Sequence, residues 1–254
     1  HDAPTITDIT ATSGAPTSGG ARITIHGRNF GTSFQNTVIQ VRSPQGSKTC
    51  SGVSVVGFTS VTCLLPSGAG TNWLIVDVPG SGNSLSGSVL FTYSAPEMTS
   101  IAPGVNARPT SGGFTLTLEG RNFGTSEHAS SLQVKVGESV CEAAFVITDH
   151  TVVGCKVKSG TGKPLGSEHI VNVSVAGTPQ SGNYLKFVYN SPTVSNVRRP
   201  VSNPTSGGSA TITVEGANFG ATTSSLAIQV GRTSCASTGF VRHTSLMCVV
   251  ADGV

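Results

Sequence analysis

Gly27-Arg28-Asn29-Phe30-Gly31 follows an alternating run, Ile23-Thr24-Ile25, and the same arrangement returns twice along the chain. The second copy is Gly120-Arg121-Asn122-Phe123-Gly124, behind Phe114-Thr115-Leu116-Thr117-Leu118. The third is Gly216-Ala217-Asn218-Phe219-Gly220, behind Ala210-Thr211-Ile212-Thr213-Val214. Ahead of each run stands one turn, Pro16-Thr17-Ser18-Gly19-Gly20, repeated at Pro109–Gly113 and at Pro204–Gly208. The leading glycines lie 93 and 96 positions apart (27 to 120, 120 to 216). A period that long marks an array of independent domains, because solenoid units are much shorter.

The units also share their ends. They open on Pro4-Thr5-Ile6, Pro96-Glu97-Met98 and Pro192-Thr193-Val194, and the first two close on Phe91/Tyr93 and Phe187/Tyr189. The division is therefore into modules 1–94, 95–190 and 191–254, joined by links of a residue or two that restrict swing. Cys155 is followed by 34 residues up to Tyr189, whereas the matching Cys248 is followed by six. The third copy thus lacks roughly its last two strands. Two readings stand: the chain continues past Val254, or a neighbouring molecule donates the missing strands.

Period-two patterning assigns each module to the all-β class. Phe114/Leu116/Leu118, Leu132/Val134/Val136 and Val171/Val173/Val175 are expected to point inward in the second module, with Thr115, Thr117, Asn172 and Ser174 outside. Ile23/Ile25, Ile39/Val41 and Leu74/Val76/Val78 play that part in the first, Ile212/Val214 and Leu226/Ile228/Val230 in the third. Short alternating strands with turn residues every eight to twelve positions describe a β-sandwich. Composition agrees: charged residues are 11% and aromatics 6%, with 32 Gly and 13 Pro. That leaves few Lys and Glu for the solvent faces of helices.

In the Gly-x-Asn-Phe-Gly corner, Phe30, Phe123 and Phe219 are expected to plug one end of each core. Asn29, Asn122 and Asn218 tolerate a left-handed backbone, and Gly27, Gly31, Gly120, Gly124, Gly216 and Gly220 allow the tight corner. A phosphate-cradling loop would open a helix, and nothing helical follows here.

Six cysteines fall two to a module, Cys50/Cys63, Cys141/Cys155 and Cys235/Cys248, at separations of 13, 14 and 13 residues. A core of about 90 residues gains from a staple, and the regularity favours a disulfide within each module over buried thiols in a reducing compartment. Metal binding would call for Cys-x-x-Cys or His pairs, which are absent. Disulfides imply an oxidising, extracellular setting.

Several chemistries find no support. The six histidines are scattered and expected at surface or strand-edge positions, and the twelve carboxylates are dispersed, so no acid/base pair, calcium cage or other metal site is expected. No cofactor motif or nucleophile elbow occurs, and the chain reads as non-enzymatic. A net charge of +3 without a basic stripe argues against nucleic acid. No apolar stretch approaches the ~20 residues of a membrane span. Asn172-Val173-Ser174 is a glycosylation sequon on an outward position, so a covalent glycan at Asn172 is sterically feasible. Trp73, the single tryptophan, is expected to be buried at a strand edge rather than to anchor a ligand or sugar ring.

Taken together, the turn, the strand, the corner, the cysteine pair and the closing Phe-x-Tyr resemble IPT/TIG domains. Similar modules occur in ectodomains of plexins and of the hepatocyte-growth-factor receptor family, and in tandem in large surface proteins of algae, protists and bacteria. The resemblance implies an immunoglobulin-like fold and a role in binding, adhesion or scaffolding. The dense cysteine modules that flank plexin domains do not occur within these residues, which weakens a receptor reading unless such modules lie outside them. The leading expectation is a structural or adhesive repeat segment of an extracellular surface protein or filament, such as a mastigoneme-like shaft. Its partners would be proteins, through self-assembly or a surface contact. The alternative is a receptor-ectodomain segment that binds a protein ligand. Carbohydrate-binding and DNA-binding readings lack, respectively, recurring aromatic platforms and basic loops.

Overall fold

The computed structural model describes residues 2–11, 15–32, 37–83, 89–104, 108–162, 168–199, 210–222 and 226–251. The chain is all-β, in antiparallel sheets that fall into three sandwiches. In the second module one sheet runs Glu97–Ala102, Thr115–Arg121, Val152–Lys156, Ala143–Thr148. The facing sheet runs Ser139–Val140, Leu132–Val136, His169–Val175, Thr178–Pro179, and Leu185–Phe187 also pairs with His169–Val175. The first module repeats both sheets, with Thr5–Ala11, Arg22–Arg28, Ser60–Leu64 and Ser51–Val55 in one. Its other sheet holds Gly46–Thr49, Val38–Ser43, Thr71–Val78, Gly82–Asn83 and Val89–Thr92.

The alternating residues make the cores. Leu116, Leu118, Val134, Val136, Val171, Val173 and Val175 are buried in the second module, and Ile23, Ile25, Ile39, Val41, Leu74 and Val76 in the first. Successive side chains of a strand point to opposite faces, so one face of each sheet meets its partner sheet and the other meets water.

The cysteines cross between sheets. Cys141 donates its N–H to Val134 O at 3.0 Å, on one sheet. Cys155 pairs with Leu116 on the other. Cys141 is bonded to Cys155 and Cys235 to Cys248, with Cα atoms 5.8 and 5.6 Å apart. Cys50 and Cys63 occupy the same two positions but stand as buried thiols, which departs from the expected bridge. Each packs there as a small apolar group, and a hydrogen bond with Cys50, together with burial, pushes the Cys63 thiol far above its usual pKa.

The third module is more open. Its first sheet holds Thr193–Arg198, Thr211–Ala217, Ser245–Val249 and Ser237–Arg242, but its second has only Gln229–Val230 and Thr233–Ser234 among the described residues. Leu226, Ile228 and Val230, expected as core, are therefore only partly covered. Val194 is 63% exposed where the matching Ile6 and Met98 are 4% and 3%. In the first two modules the opening strand packs against the closing one, Val89–Thr92 or Leu185–Phe187. Among the described residues the third module has no such strand.

Candidate functional site

The Gly-x-Asn-Phe-Gly corner sits at the leading end of each module, and its backbone leaves little choice of residue. A Cβ on Gly27, Gly120 or Gly216 would fall within 1.9, 2.0 and 1.9 Å of Thr5 O, Glu97 O and Thr193 O, so the opening strand could not close. The asparagines Asn29, Asn122 and Asn218 take φ of 62°, 63° and 60°. Asparagine adopts this left-handed conformation more readily than most side chains do. The turn reverses the chain and drives Phe30, Phe123 and Phe219 into the core, at 0%, 0% and 4% exposure.

Each asparagine amide also holds the entry to its own module. The Nδ2 groups of Asn29, Asn122 and Asn218 donate to Ala3 O, Ala95 O and Ser191 O at 3.1, 3.1 and 3.3 Å. These carbonyls belong to the residues just before Pro4, Pro96 and Pro192.

The trailing end is built around the other repeated turn. Gly19 N–H donates to Pro16 O, Gly20 N–H to Leu65 O and Gly68 N–H to Thr17 O. Gly112, Gly113 and Gly160 repeat this with Pro109, Val157 and Thr110. The hydroxyls of Tyr93 and Tyr189 donate to Pro66 O and Lys158 O at 2.8 and 2.9 Å. Their rings lie so close to Gly68 and Gly160 that a Cβ there would come within 2.6 and 2.4 Å. Burial raises both phenols above their usual pKa, so they act as donors. The third copy of the turn, Pro204–Gly208, lies outside the described residues.

Leading corner and trailing turn meet at the module junctions. Thr17 and Thr110, each 1% exposed, donate their N–H to Asn122 Oδ1 and Asn218 Oδ1 at 3.2 and 3.3 Å. One amide therefore clamps its own module's entry with its nitrogen and the preceding module with its oxygen. The two junctions share this latch and differ around it.

At the first junction Thr17 Oγ1 hydrogen-bonds to His150 Nδ1 at 2.9 Å, and Lys48 pairs with Glu127 at 2.7 Å. Ala69 is buried in the second module's core cluster, and a Cβ on Gly70 would lie 2.6 Å from that of Ala176. His128 is 4% exposed and accepts the Thr125 N–H at Nδ1. Burial first, then Lys48, holds His128 below the ordinary imidazole pKa, and burial does the same for His150 against the pull of Asp149. A cleft of 290 Å³ opens beside the Lys48–Glu127 pair, with Tyr93, Asn72 and His128 in its wall.

At the second junction Thr110 Oγ1 accepts the Gly220 N–H at 3.2 Å, and Thr161 Oγ1 accepts that of Ala221 at 3.4 Å. His243 stands at the hairpin position of His150, its carbonyl accepting the Phe219 N–H as that of His150 accepts the Phe123 N–H. Its Nδ1, however, is buried without a hydrogen-bond partner among the described residues.

Several expectations need correcting. His128 is buried, and His150 is a half-buried junction residue. Trp73 is 46% exposed rather than covered. Arg108 is 5% exposed, with its guanidinium 4.9 Å from the Phe187 ring centroid and Nε donating to Pro103 O at 2.7 Å. Nothing in its sequence surroundings marked it as a core cation. Asn172 is half-buried on the outer side of its strand, opposite Lys135. Among the described residues no three His, Cys, Asp or Glu side chains gather as a metal site, and no helix is long and apolar enough to cross a membrane.

A family model described as IPT/TIG domain matches residues 4–93, 96–189 and 192–254. The chain is similar to Plexin-B2 of Mus musculus, 27% identical over 220 residues, covering 85% of this chain and 11% of that protein's length. Among solved structures it is similar to the full extracellular region of Plexin A4, at 16% identity and a TM-score of 0.30, over 99% of this chain and 31% of that one. It is also similar to the surface glycan-binding protein PbSGBP-B of Prevotella bryantii, at 16% identity and a TM-score of 0.43, over 74% and 42% of the two chains.

Proposed function

We propose, from the premise that this chain belongs to the IPT/TIG domain family, that it is a non-enzymatic spacer segment of an extracellular protein, in which latched sandwiches hold flanking parts at a set distance. The observation that carries this reading is the Asn–Thr latch, made in the same way at both junctions by residues the repeats supply. A bidentate amide and a buried threonine restrict the hinge that a two-residue link would otherwise permit. In this reading Cys50 and Cys63 close a third bridge in the oxidising exterior, Asn172 carries a glycan, and the partners are proteins.

Within that frame, a receptor-ectodomain segment gains support from the similarity to Plexin-B2. The fibre-shaft alternative rests on the Ser- and Thr-rich composition and on the near-identical spacer turns.

Small-angle scattering on the whole chain tests the spacer. The wild type is expected to give one extended distance distribution that salt does not change. The Asn122→Gly/Asn218→Gly double variant should give a broader one at unchanged β-content. A wild-type curve already typical of freely jointed beads would overturn the reading. Non-reducing peptide mapping of secreted material tests the Cys50–Cys63 bridge and the Asn172 glycan together.

A further inference from the structure

Trp73 lies on Thr71–Val78, the central strand of the first module's second sheet, and faces away from the core that Leu74 and Val76 build. Its cross-strand partners are Arg42 on one side and Leu90 on the other. Arg42 is in turn opposite Ser47. One row, Ser47–Arg42–Trp73–Leu90, therefore crosses four strands on the outer side of the sheet, with directly opposed side chains about 5 Å apart. The neighbouring row carries Thr71 and Thr92, whose hydroxyls share a hydrogen bond of 2.9 Å. In the second module the matching positions hold Ile170 and Lys186, so the indole platform belongs to the first module alone.

We infer that this row is a binding site for an acidic glycan, with a pyranose ring stacked on Trp73 and a uronate carboxylate on Arg42. The apolar content of the row is small: one indole, 46% exposed, and one leucine, 56% exposed. A protein interface would bury about 800 Å² per partner around a largely apolar centre. A sugar ring needs only one aromatic face for its C–H surface, with hydroxyls and amides around it for its own hydroxyls. Gln40, Ser47, Thr71 and Thr92 supply that rim. The Arg42 guanidinium gives one N–H to Ser47 Oγ at 3.4 Å. Four more donors remain, and among the described residues no carboxylate pairs with them. A guanidinium so placed matches a carboxylate's two oxygens in a way a lysine would not. The inference stands apart from the spacer reading and survives its failure.

The chain has a single tryptophan, so its emission reports this site. Titrating the whole protein with an oligogalacturonate hexamer should give a saturable change in Trp emission, weakened by salt. Arg42→Ala should lower the affinity about tenfold or more, as loss of a charge-assisted contact requires. Calorimetry on Trp73→Ala should show no binding, while Ile170→Ala binds like wild type; the circular dichroism of all three variants should match the parent. The inference is overturned if the uronate hexamer leaves the emission unchanged, if Trp73→Ala still binds, or if neutral cellohexaose binds as tightly. An emission shift that follows protein concentration without any sugar would also overturn it, by making the face a contact between copies.

Discussion

The two module junctions are built on one latch but finished differently. Asn122 and Asn218 accept a buried threonine N–H at nearly equal distances, 3.2 and 3.3 Å, and each ties down its own linker carbonyl. Around that shared part, the first junction adds a histidine, an ion pair and the burial of Ala69, whereas the second adds hydroxyl-to-backbone contacts and, among the described residues, leaves His243 Nδ1 unpartnered. The lesson is a division of labour. Backbone conformation fixes the latch, so it recurs with the repeat, while the side chains packed around it decide how each junction answers to pH and salt.

The largest effect is expected where the shared part is broken. Gly120→Ala and Gly216→Ala each place a methyl against a strand carbonyl. Each should cost about 3 kcal/mol by overpacking, read as a lowered denaturation midpoint of its own module. A tolerated Gly216→Ala beside a disruptive Gly120→Ala would show that the corners are not equivalent. Next come the asparagines. Asn122→Ala combines lost hydrogen bonds with an L-residue penalty at positive φ, together about 2 kcal/mol. Asn122→Gly removes the amide but relieves the backbone and should cost about half as much. If both variants match wild type in amide-exchange protection at Thr17, the latch contributes nothing.

The third effect separates the junctions by pH. His128 and His150 have folded pKa values below the unfolded 6.5, so the folded junction prefers them neutral. Its stability is fully present above 6.5 and declines as pH falls from there toward the folded values, because the opened state binds more protons. Exchange at Thr17 and Ala176, corrected for the intrinsic rate, should rise on acidification, and a flat profile would remove both histidines from the account. The smallest effect is that of Lys48→Ala. Its partner Glu127 is solvent-exposed, and the pair is screened by salt. The variant should differ from wild type only at low ionic strength; a difference that persists in high salt would reassign Lys48 to packing against the cleft.

Much of this was legible in the chain. The corner glycines and asparagines announce a left-handed turn, and the alternation of Leu116/Leu118 and Ile23/Ile25 names the buried face, because both follow from local geometry. The latch was only half legible. Thr17 and Thr110 recur within their turns although the turn itself does not require threonine at that place, a signal that the residue serves something beyond the turn. His128, Arg108 and Trp73 were misplaced or missed for one reason. The surroundings of each are set by residues far away in the sequence: Lys48 near His128, Phe187 beside Arg108, and Arg42 and Leu90 on the sheet face around Trp73.

By itself the sequence determined the number of modules, their all-β character, the inward faces of the central strands in the first two modules and the shape of the repeated corner, since these depend on side-chain period and on φ preferences that act within a few residues. Only the tertiary structure decided that the corner's amide reaches into the preceding module, that the two junctions differ in their titratable groups, and that Trp73 faces water. Those outcomes depend on which surfaces meet after the sheets have stacked, and contacts between residues 60 to 133 positions apart leave no periodic trace in the chain.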